Sequence, residues 1–178
     1  MSKTNNFVFQ VIVVVAWIIF VGLCIEAGGL LVNFIYSLYK PEFVQKLYQK
    51  LDLSAMYNSS KRAYYGMYSF ILVIAILKAV LFYVVIMMVS QIDLKKPFNK
   101  LVSKQISQIS YYTFSIGLLS YIAQQSAKNL QHQGYVIDTL DKFWADAEAF
   151  ILMAAVVYVI SIIFSKGLEI QNENDLTV

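Results

Sequence analysis

The two residues best suited to chemistry inside a membrane are Glu26 and Lys78, each the only charge in a long apolar stretch. A charged side chain at the bilayer centre costs about 2.5–3.5 kcal/mol on insertion scales, so it requires a partner or a water-filled cavity. Glu26 lies three residues past the middle of segment 7–39, and Lys78 lies at the middle of segment 64–92. In antiparallel helices their depths would agree to within about one turn, roughly 5 Å. The spacing therefore predicts an intramembrane Glu26–Lys78 ion pair.

Other environments also satisfy these two charges. Glu26 can lie at an interface beside closely packed small residues, and Lys78 can face a watery cavity or backbone carbonyls. An ion pair that does form can be purely structural, because a buried pair is often neutral for stability while the loss of one partner is costly.

Small and polar residues recur at helical spacing in the apolar segments, which marks the faces that pack against other helices. The stripes comprise Gly22, Glu26, Gly29, Asn33 and Ser37 in the first segment and Ser110, Thr113, Gly117, Ser120, Gln124 and Ala127 in the third, and one face of the fourth carries Ala147, Ile151, Ala154, Tyr158, Ser161 and Ser165. Asn33, Thr113, Ser120 and Gln124 form the predicted polar seam. It serves either hydroxyl-mediated helix packing or a solvated pathway or ligand groove.

The composition indicates the class of protein that carries these residues. Of 178 residues, 59% are hydrophobic and 14% are charged, which is far more apolar than a soluble domain. A helical span needs about 20 apolar residues. Segments 7–39, 64–92, 106–127 and 147–165 reach or approach that length. The predicted fold class is all-α: a polytopic membrane protein with four transmembrane helices in a bundle.

The connectors between these segments are predicted to lie on the membrane surface as short amphipathic helices. Apolar residues share one face of 40–63, lysines alternate with apolar residues in 93–104, and apolar and acidic residues mix in 128–145. Residues 1–178 then form a single membrane domain that ends in a tail, 167–178. The first apolar run continues too far for a signal peptide, so we expect a mature span there.

Several function classes are not expected. Cys24 and His132 are the only residues of their types, so no multi-Cys or multi-His metal site is predicted, and no cofactor is expected. No HExxH sequence, Ser-His constellation or aspartate pair within a span indicates catalysis, so we predict no catalytic residue and no enzyme activity. The basic residues flank the apolar segments as headgroup contacts do, which argues against direct nucleic acid binding.

The charge distribution gives a prediction for orientation. An even number of spans places both termini on the same side of the membrane. Lys and Arg are divided almost equally between the two sides, but the compact lysine cluster in 93–104 favours the cytoplasm. Both termini are therefore predicted to be cytoplasmic.

Two stretches carry a resemblance to a known family: LKKPFNKLV at 94–102 and KGLEIQNENDLTV at 166–178. With the arrangement around them, they resemble the bacterial four-span membrane proteins of domain-of-unknown-function family 2975. The resemblance covers most of the chain and implies a location in the bacterial cytoplasmic membrane. Such proteins are often encoded beside a small Cro/C1-type helix-turn-helix regulator, which implies a regulatory partnership. The resemblance implies no activity and no catalytic residues.

The function predicted from these features is that of a non-enzymatic integral membrane protein, a regulatory or sensory partner of a small helix-turn-helix regulator. The partner-binding residues are expected in the polar tail: Glu169, Gln171, Glu173, Asn174, Asp175 and Leu176. The alternative is a small transporter or an oligomeric channel that uses the polar seam. Because one four-helix bundle is narrow, conduction would require several copies. The expected partners are the lipid bilayer, the regulator and, in the alternative, further copies of the chain.

Overall fold

All regular structure is helical in the computed structural model, which describes residues 3–40, 42, 44, 47–48, 52–92, 98–135, 140–144 and 146–176, and no strand occurs in these ranges. The helices are α1 (Lys3–Tyr39), α2 (Ser54–Ser59), α3 (Lys61–Gln91), α4 (Lys100–His132), α5 (Asp141–Trp144) and α6 (Ala147–Leu176). The predicted all-α class is therefore confirmed.

Three helices in the described ranges are long and apolar enough to cross a membrane, over Phe9–Tyr39, Lys61–Gln91 and Ala147–Glu173. The chain is therefore a multi-pass membrane protein. The third predicted span, 106–127, lies inside α4, which is as long as the others but more polar. The predicted count of four spans is thus not confirmed by length and hydropathy.

Both ends of α4 lie outside the predicted bounds because local capping extends the helix. The Asn99 side chain accepts a hydrogen bond from the Leu101 backbone N–H at 2.8 Å, which caps the first turn. After the last turn, Gly134 adopts φ +89, a left-handed conformation that glycine takes without strain and that commonly ends helices.

The long helices pack in chain order, α1 against α3, α3 against α4 and α4 against α6. Between α1 and α3, the Tyr68 hydroxyl donates to the Leu30 carbonyl at 2.9 Å, and the rings of Phe20 and Tyr83 lie 5.9 Å apart. Late positions of α1 therefore meet early positions of α3, so the two helices are antiparallel. In the described ranges, each long helix packs extensively only against its neighbours in chain order. A four-helix bundle around one shared axis is therefore not confirmed.

The buried core lies at the end of the molecule where α1 ends and α3 begins. Its fully buried side chains come from α1, α2, α3, α4 and the α5 region and include Leu30, Met56, Tyr64, Tyr68, Ile71, Ile116, Leu140 and Trp144. At the opposite end, α1 and α6 expose apolar side chains on most of their surface, including Val14, Ile18, Ile25, Val159 and Ile163. Such faces are typical of helices in contact with lipid.

The segment between α4 and α6 folds into the core instead of lying on a surface. Leu140, Phe143 and Trp144 are almost fully buried, because three large apolar side chains gain more from packing than from an interface. Val136 and Ile137, two further apolar residues of the 128–145 connector, lie outside the described residues. The chain returns along α4 in this segment, and α6 therefore begins about half-way along α4.

The other two connectors also differ from the predicted surface helices. In 40–63, Val44 and Leu47 are buried, and a short helix forms later, at Ser54–Ser59. In 93–104, residues 93–97 lie outside the described residues. From Lys100 onward the lysines belong to the first turns of α4, because the Asn99 cap begins that helix there.

Candidate functional site

A row of serine hydroxyls joins α4 to α6. Ser103 Oγ lies 2.9 Å from Ser165 Oγ, and Ser107 Oγ lies 2.6 Å from Ser161 Oγ. Hydroxyls that bond across helices satisfy polar groups that lipid cannot satisfy. These four serines therefore hold α4 and α6 together.

Close backbone contact continues the same seam towards the start of α6. The Ser110 hydroxyl donates to the Ala154 carbonyl at 3.1 Å. Gly117 follows two turns later, and a Cβ placed on it would lie 2.9 Å from the Ile151 backbone nitrogen and 3.1 Å from the Ala147 carbonyl oxygen. Small residues allow such close approach of helix backbones in lipid. The first turns of α6 therefore pack directly on the middle of α4.

The residues of the predicted polar seam do not form one continuous set. Thr113 and Ser120 are buried on α4, and Gln124 is half-buried there. The Thr113 hydroxyl donates to the carbonyl of Ile109 in its own helix at 2.7 Å. Asn33 is half-buried on α1, which packs against α3 and not extensively against α4 in the described ranges. Thr113, Ser120 and Gln124 therefore lie together on α4, whereas Asn33 lies apart on α1.

Glu26 and Lys78 are both half-buried, and no ion pair within 4.0 Å joins them in the described part of the chain. The reason is helical phase. Ala79 lines the groove between α3 and α1. Lys78, one position earlier, shares its face with Leu81 and Val85, which line a cavity that α4 also lines. Glu26 and Lys78 therefore do not meet in this arrangement of the helices, and their pairing stays a prediction.

The stripe that contains Glu26 meets the connector before α2 for part of its length. The Tyr48 ring covers Gly29 so closely that a Cβ there would lie 2.7 Å from ring atom Cδ2. Gly22, two turns earlier on the stripe, has no atom within 4 Å of its Cβ position among the described residues. The stripe is therefore packed at one end and open at the other.

The two sequence stretches that carry the family resemblance touch each other at the end of the molecule opposite the core. The Phe98 ring lies over Gly167 of α6, where a Cβ would come within 2.8 Å of ring atoms Cδ1 and Cζ. The Phe98 and Phe164 ring centroids are 5.0 Å apart. The Gln171 side-chain amide also donates to the Phe98 carbonyl across a long 3.5 Å. We call these four residues the Phe98 junction.

Beyond the junction, the predicted tail is not a separate segment, because α6 continues through Gly167 to Leu176. Gly167 does not end the helix, since its missing side chain provides the space for Phe98. Glu169 is exposed and pairs with Lys166 at 2.6 Å, and Glu173 is exposed one turn later. An exposed pair of this kind contributes little to stability. Of the predicted partner-binding residues, Gln171 is half-buried in the junction, and the backbone of Asn174, Asp175 and Leu176 is helical.

A cavity of about 500 Å³ lies between α3, α4 and α6. Its walls are mainly apolar, with one hydroxyl and one carboxyl residue: Leu81, Phe82, Val85, Ile109, Thr113, Asp146, Ala149, Phe150, Met153 and Val157. No group of three or more His, Cys, Asp or Glu side chains is arranged to hold a metal ion in the ranges that the structure describes. The cavity is therefore shaped for an apolar molecule.

Residues 48–178 match the protein family described as "Protein of unknown function (DUF2975)". This match covers well over half of the chain. The chain belongs to the DUF2975 family. No curated protein and no solved structure matches the chain. The DUF2975 match includes α3, α4, α6, the Phe98 junction and the cavity, whereas all of α1 precedes it.

The sequence of this DUF2975 protein did not predict the Phe98 junction or the hydrogen bond between Ser103 and Ser165. Ser103 lies before the predicted third span, so its position provided no reason to place it in the membrane. Phe98 was assigned to a surface helix, although its position beside Pro97 and before the capping residue Asn99 is typical of a residue at a helix start. Nothing in the local pattern indicates which distant glycine such a ring covers.

Proposed function

We propose that this protein is a non-enzymatic membrane protein that holds a small helix-turn-helix regulator at the cytoplasmic face of the membrane. The observation that carries the proposal is the exposed acidic end of α6, with Glu169 and Glu173, fixed in position at its base by Phe98. A DNA-binding regulator presents a basic surface to DNA. An acidic helix of fixed orientation is complementary to that surface.

We further propose that α4 crosses the membrane as a fourth span. Its low hydropathy arises from the serine face that bonds to α6, and that face does not meet lipid. Between Lys104 and Gln125, its most exposed side chains are all apolar: Tyr111, Phe114, Leu118, Tyr121 and Ile122. That interval of 20 residues corresponds to about 30 Å, the thickness of a hydrocarbon core.

The proposed orientation places both termini in the cytoplasm of a bacterial cell. Lys100 and Lys104 at the start of α4 and Lys166 near the end of α6 are exposed at the same end of the molecule as the Phe98 junction. Clusters of lysine next to spans favour the cytoplasmic side. The acidic end of α6 would then meet a cytoplasmic regulator.

Co-purification with the neighbouring helix-turn-helix regulator tests this function. We expect full-length protein in detergent to retain the regulator, and a form ending at Gly167 to lose it. In the full chain, Glu169→Lys combined with Glu173→Lys is expected to reduce recovery about tenfold or more, since each charge-assisted contact contributes about 1.5–3 kcal/mol.

The matched control is Glu148→Lys, because Glu148 is an exposed acid at the other end of α6 and lies far from the proposed contact. It should leave recovery of the regulator unchanged. Equal recovery with full-length protein and with both tail variants would refute the role of the acidic end.

The alternative, transport through the polar seam, has less support. A conducting path needs a continuous row of polar groups that face water, whereas the Thr113 hydroxyl bonds to the Ile109 carbonyl and Asn33 lies apart on α1. Proteoliposomes that conduct ions, and lose conduction when Thr113, Ser120 and Gln124 are replaced, would favour that alternative.

A further inference from the structure

We propose that the cavity between α3, α4 and α6 binds a lipophilic cation, meaning an amphiphile with an ammonium headgroup and an apolar chain. Its volume of about 500 Å³ lies within the range of roughly 300–1,000 Å³ that small-molecule sites occupy. Binding can be measured on the protein alone, so this inference does not rest on the regulator.

The sign of the headgroup follows from the single charged residue on the cavity wall. Asp146 lines the cavity, and no described cation lies within ion-pair distance of its carboxylate. Its backbone adopts φ +68, a left-handed conformation that aspartate tolerates better than most residues. Its carbonyl accepts the Phe150 backbone N–H at 3.1 Å, which fixes the residue at the start of α6. The backbone of Asp146 is therefore held at the start of α6, and its exposed side chain is the one acidic group on an otherwise apolar wall.

The aromatic residues of the cavity favour the same ligand. Phe82 and Phe150 line it together with Asp146. The faces of aromatic rings attract cations, most strongly where water is excluded. The remaining wall, including Met153 and Val157, is apolar and suits a hydrocarbon chain. An anionic amphiphile of equal chain length would meet repulsion from Asp146, and a neutral one would gain only apolar burial.

Lys78 is the positive group that would oppose such a ligand. It lies one turn before Leu81 and Phe82, on the face of α3 that lines the cavity. Its side chain is half-buried. Removing its charge should therefore strengthen the binding of a cation. Asp146 and Lys78 thus have opposite expected effects on one ligand.

The test uses full-length protein in phosphatidylcholine nanodiscs, with Trp144 fluorescence as the signal in a Trp17→Phe background. Trp144 is buried two residues before Asp146, so we expect its fluorescence to change when a ligand binds at Asp146. The probe is dodecyltrimethylammonium, and dodecyl sulfate is the anionic comparison of equal chain length. Because every variant is measured in the same lipid, partition of the probe into the bilayer cancels between variants.

Asp146→Asn is expected to weaken binding of dodecyltrimethylammonium about tenfold or more, the effect of losing one charge-assisted contact. Asparagine also tolerates the left-handed backbone and caps helices as well as aspartate does, so the fold is retained. Glu148→Gln is the matched control, because Glu148 is exposed and two residues away, and it should leave the affinity unchanged. Val157→Phe, which fills the cavity, should weaken binding, and Lys78→Gln should strengthen it.

Unchanged affinity in Asp146→Asn would overturn the proposal, as would dodecyl sulfate binding as tightly as the cation. A loss of affinity in Lys78→Gln would also contradict it, since it would indicate an anionic headgroup. Misfolding cannot produce the gain of affinity that is expected in Lys78→Gln. The test therefore remains decisive even if Asp146→Asn is unstable.

Discussion

Replacing Gly117 with alanine is expected to destabilise the full-length protein by about 2 kcal/mol, because overpacking of a tight contact typically costs about 1–3 kcal/mol. The new Cβ would lie 2.9 Å from the Ile151 backbone nitrogen and 3.1 Å from the Ala147 carbonyl oxygen. Backbone atoms of a packed helix cannot rotate away as a side chain can, so α4 and α6 must separate. Separation would also lengthen the serine hydrogen bonds further along the seam. The measurement is the free energy of unfolding in mixed micelles titrated with sodium dodecyl sulfate.

Gly66→Ala and Gly22→Ala are the matched controls for this prediction. Both glycines are in helices, and neither has an atom within 4 Å of its Cβ position among the described residues. Alanine there should be neutral or stabilising by up to about 1 kcal/mol, because alanine is the better helix former. If Gly117→Ala unfolds at the same detergent fraction as the controls, the close contact between α4 and α6 is absent.

Replacing Gly167 with leucine is expected to cost about 2 kcal/mol for a different reason, since here the obstacle is one aromatic side chain. A Cβ at Gly167 would lie 2.8 Å from Cδ1 and Cζ of Phe98. Removing that ring should restore the space. We therefore expect Gly167→Leu to be strongly destabilising in the natural chain and nearly neutral in a Phe98→Ala background.

The double-mutant cycle of Phe98 and Gly167 measures this compensation directly. A coupling of about 2 kcal/mol is expected, near the upper part of the range for residues in contact. Phe98→Ala and Gly117→Ala form the matched control cycle, because Phe98 contacts α6 at Gly167 whereas Gly117 contacts it at Ala147 and Ile151. Additive effects of Phe98→Ala and Gly167→Leu would mean that the two family motifs do not touch.

The long helices were predictable from sequence because their signal is local. Uninterrupted apolar runs give α1 and α3 nearly within their observed bounds and give the start of α6, whereas α6 continues beyond the predicted end at 165 to Leu176. The stripe of Ser110, Thr113, Gly117 and Ser120 likewise indicated a buried face on α4, since residues three and four apart share a helical face. Ala154, Ser161 and Ser165 of the last segment lie on one predicted face, and this face meets α4 at Ser110, Ser107 and Ser103.

The features that sequence did not predict depend on distant contacts. Phe98 and Gly167 meet only because α4 and α6 are antiparallel with one particular offset. That offset follows from the return of the chain through Leu140 and Trp144, which amphipathic spacing did not distinguish from a surface helix. The Glu26–Lys78 pair was predicted from matching depth and from the polar face of each helix. Neither feature determines which neighbouring helix a given face meets, and Lys78 shares its face with residues that line the cavity between α3 and α4.

Labelling of single cysteines with a membrane-impermeant maleimide tests the central claim, that four crossings bring the acidic end of α6 to the cytoplasm. The sites are Asn58→Cys, Gln133→Cys and Asn172→Cys in a Cys24→Ser background, and all three positions are exposed. In intact cells we expect labelling at positions 58 and 133, and at position 172 only after permeabilisation. If positions 58 and 172 instead share one side and 133 lies on the other, α4 does not cross the membrane and the account is contradicted.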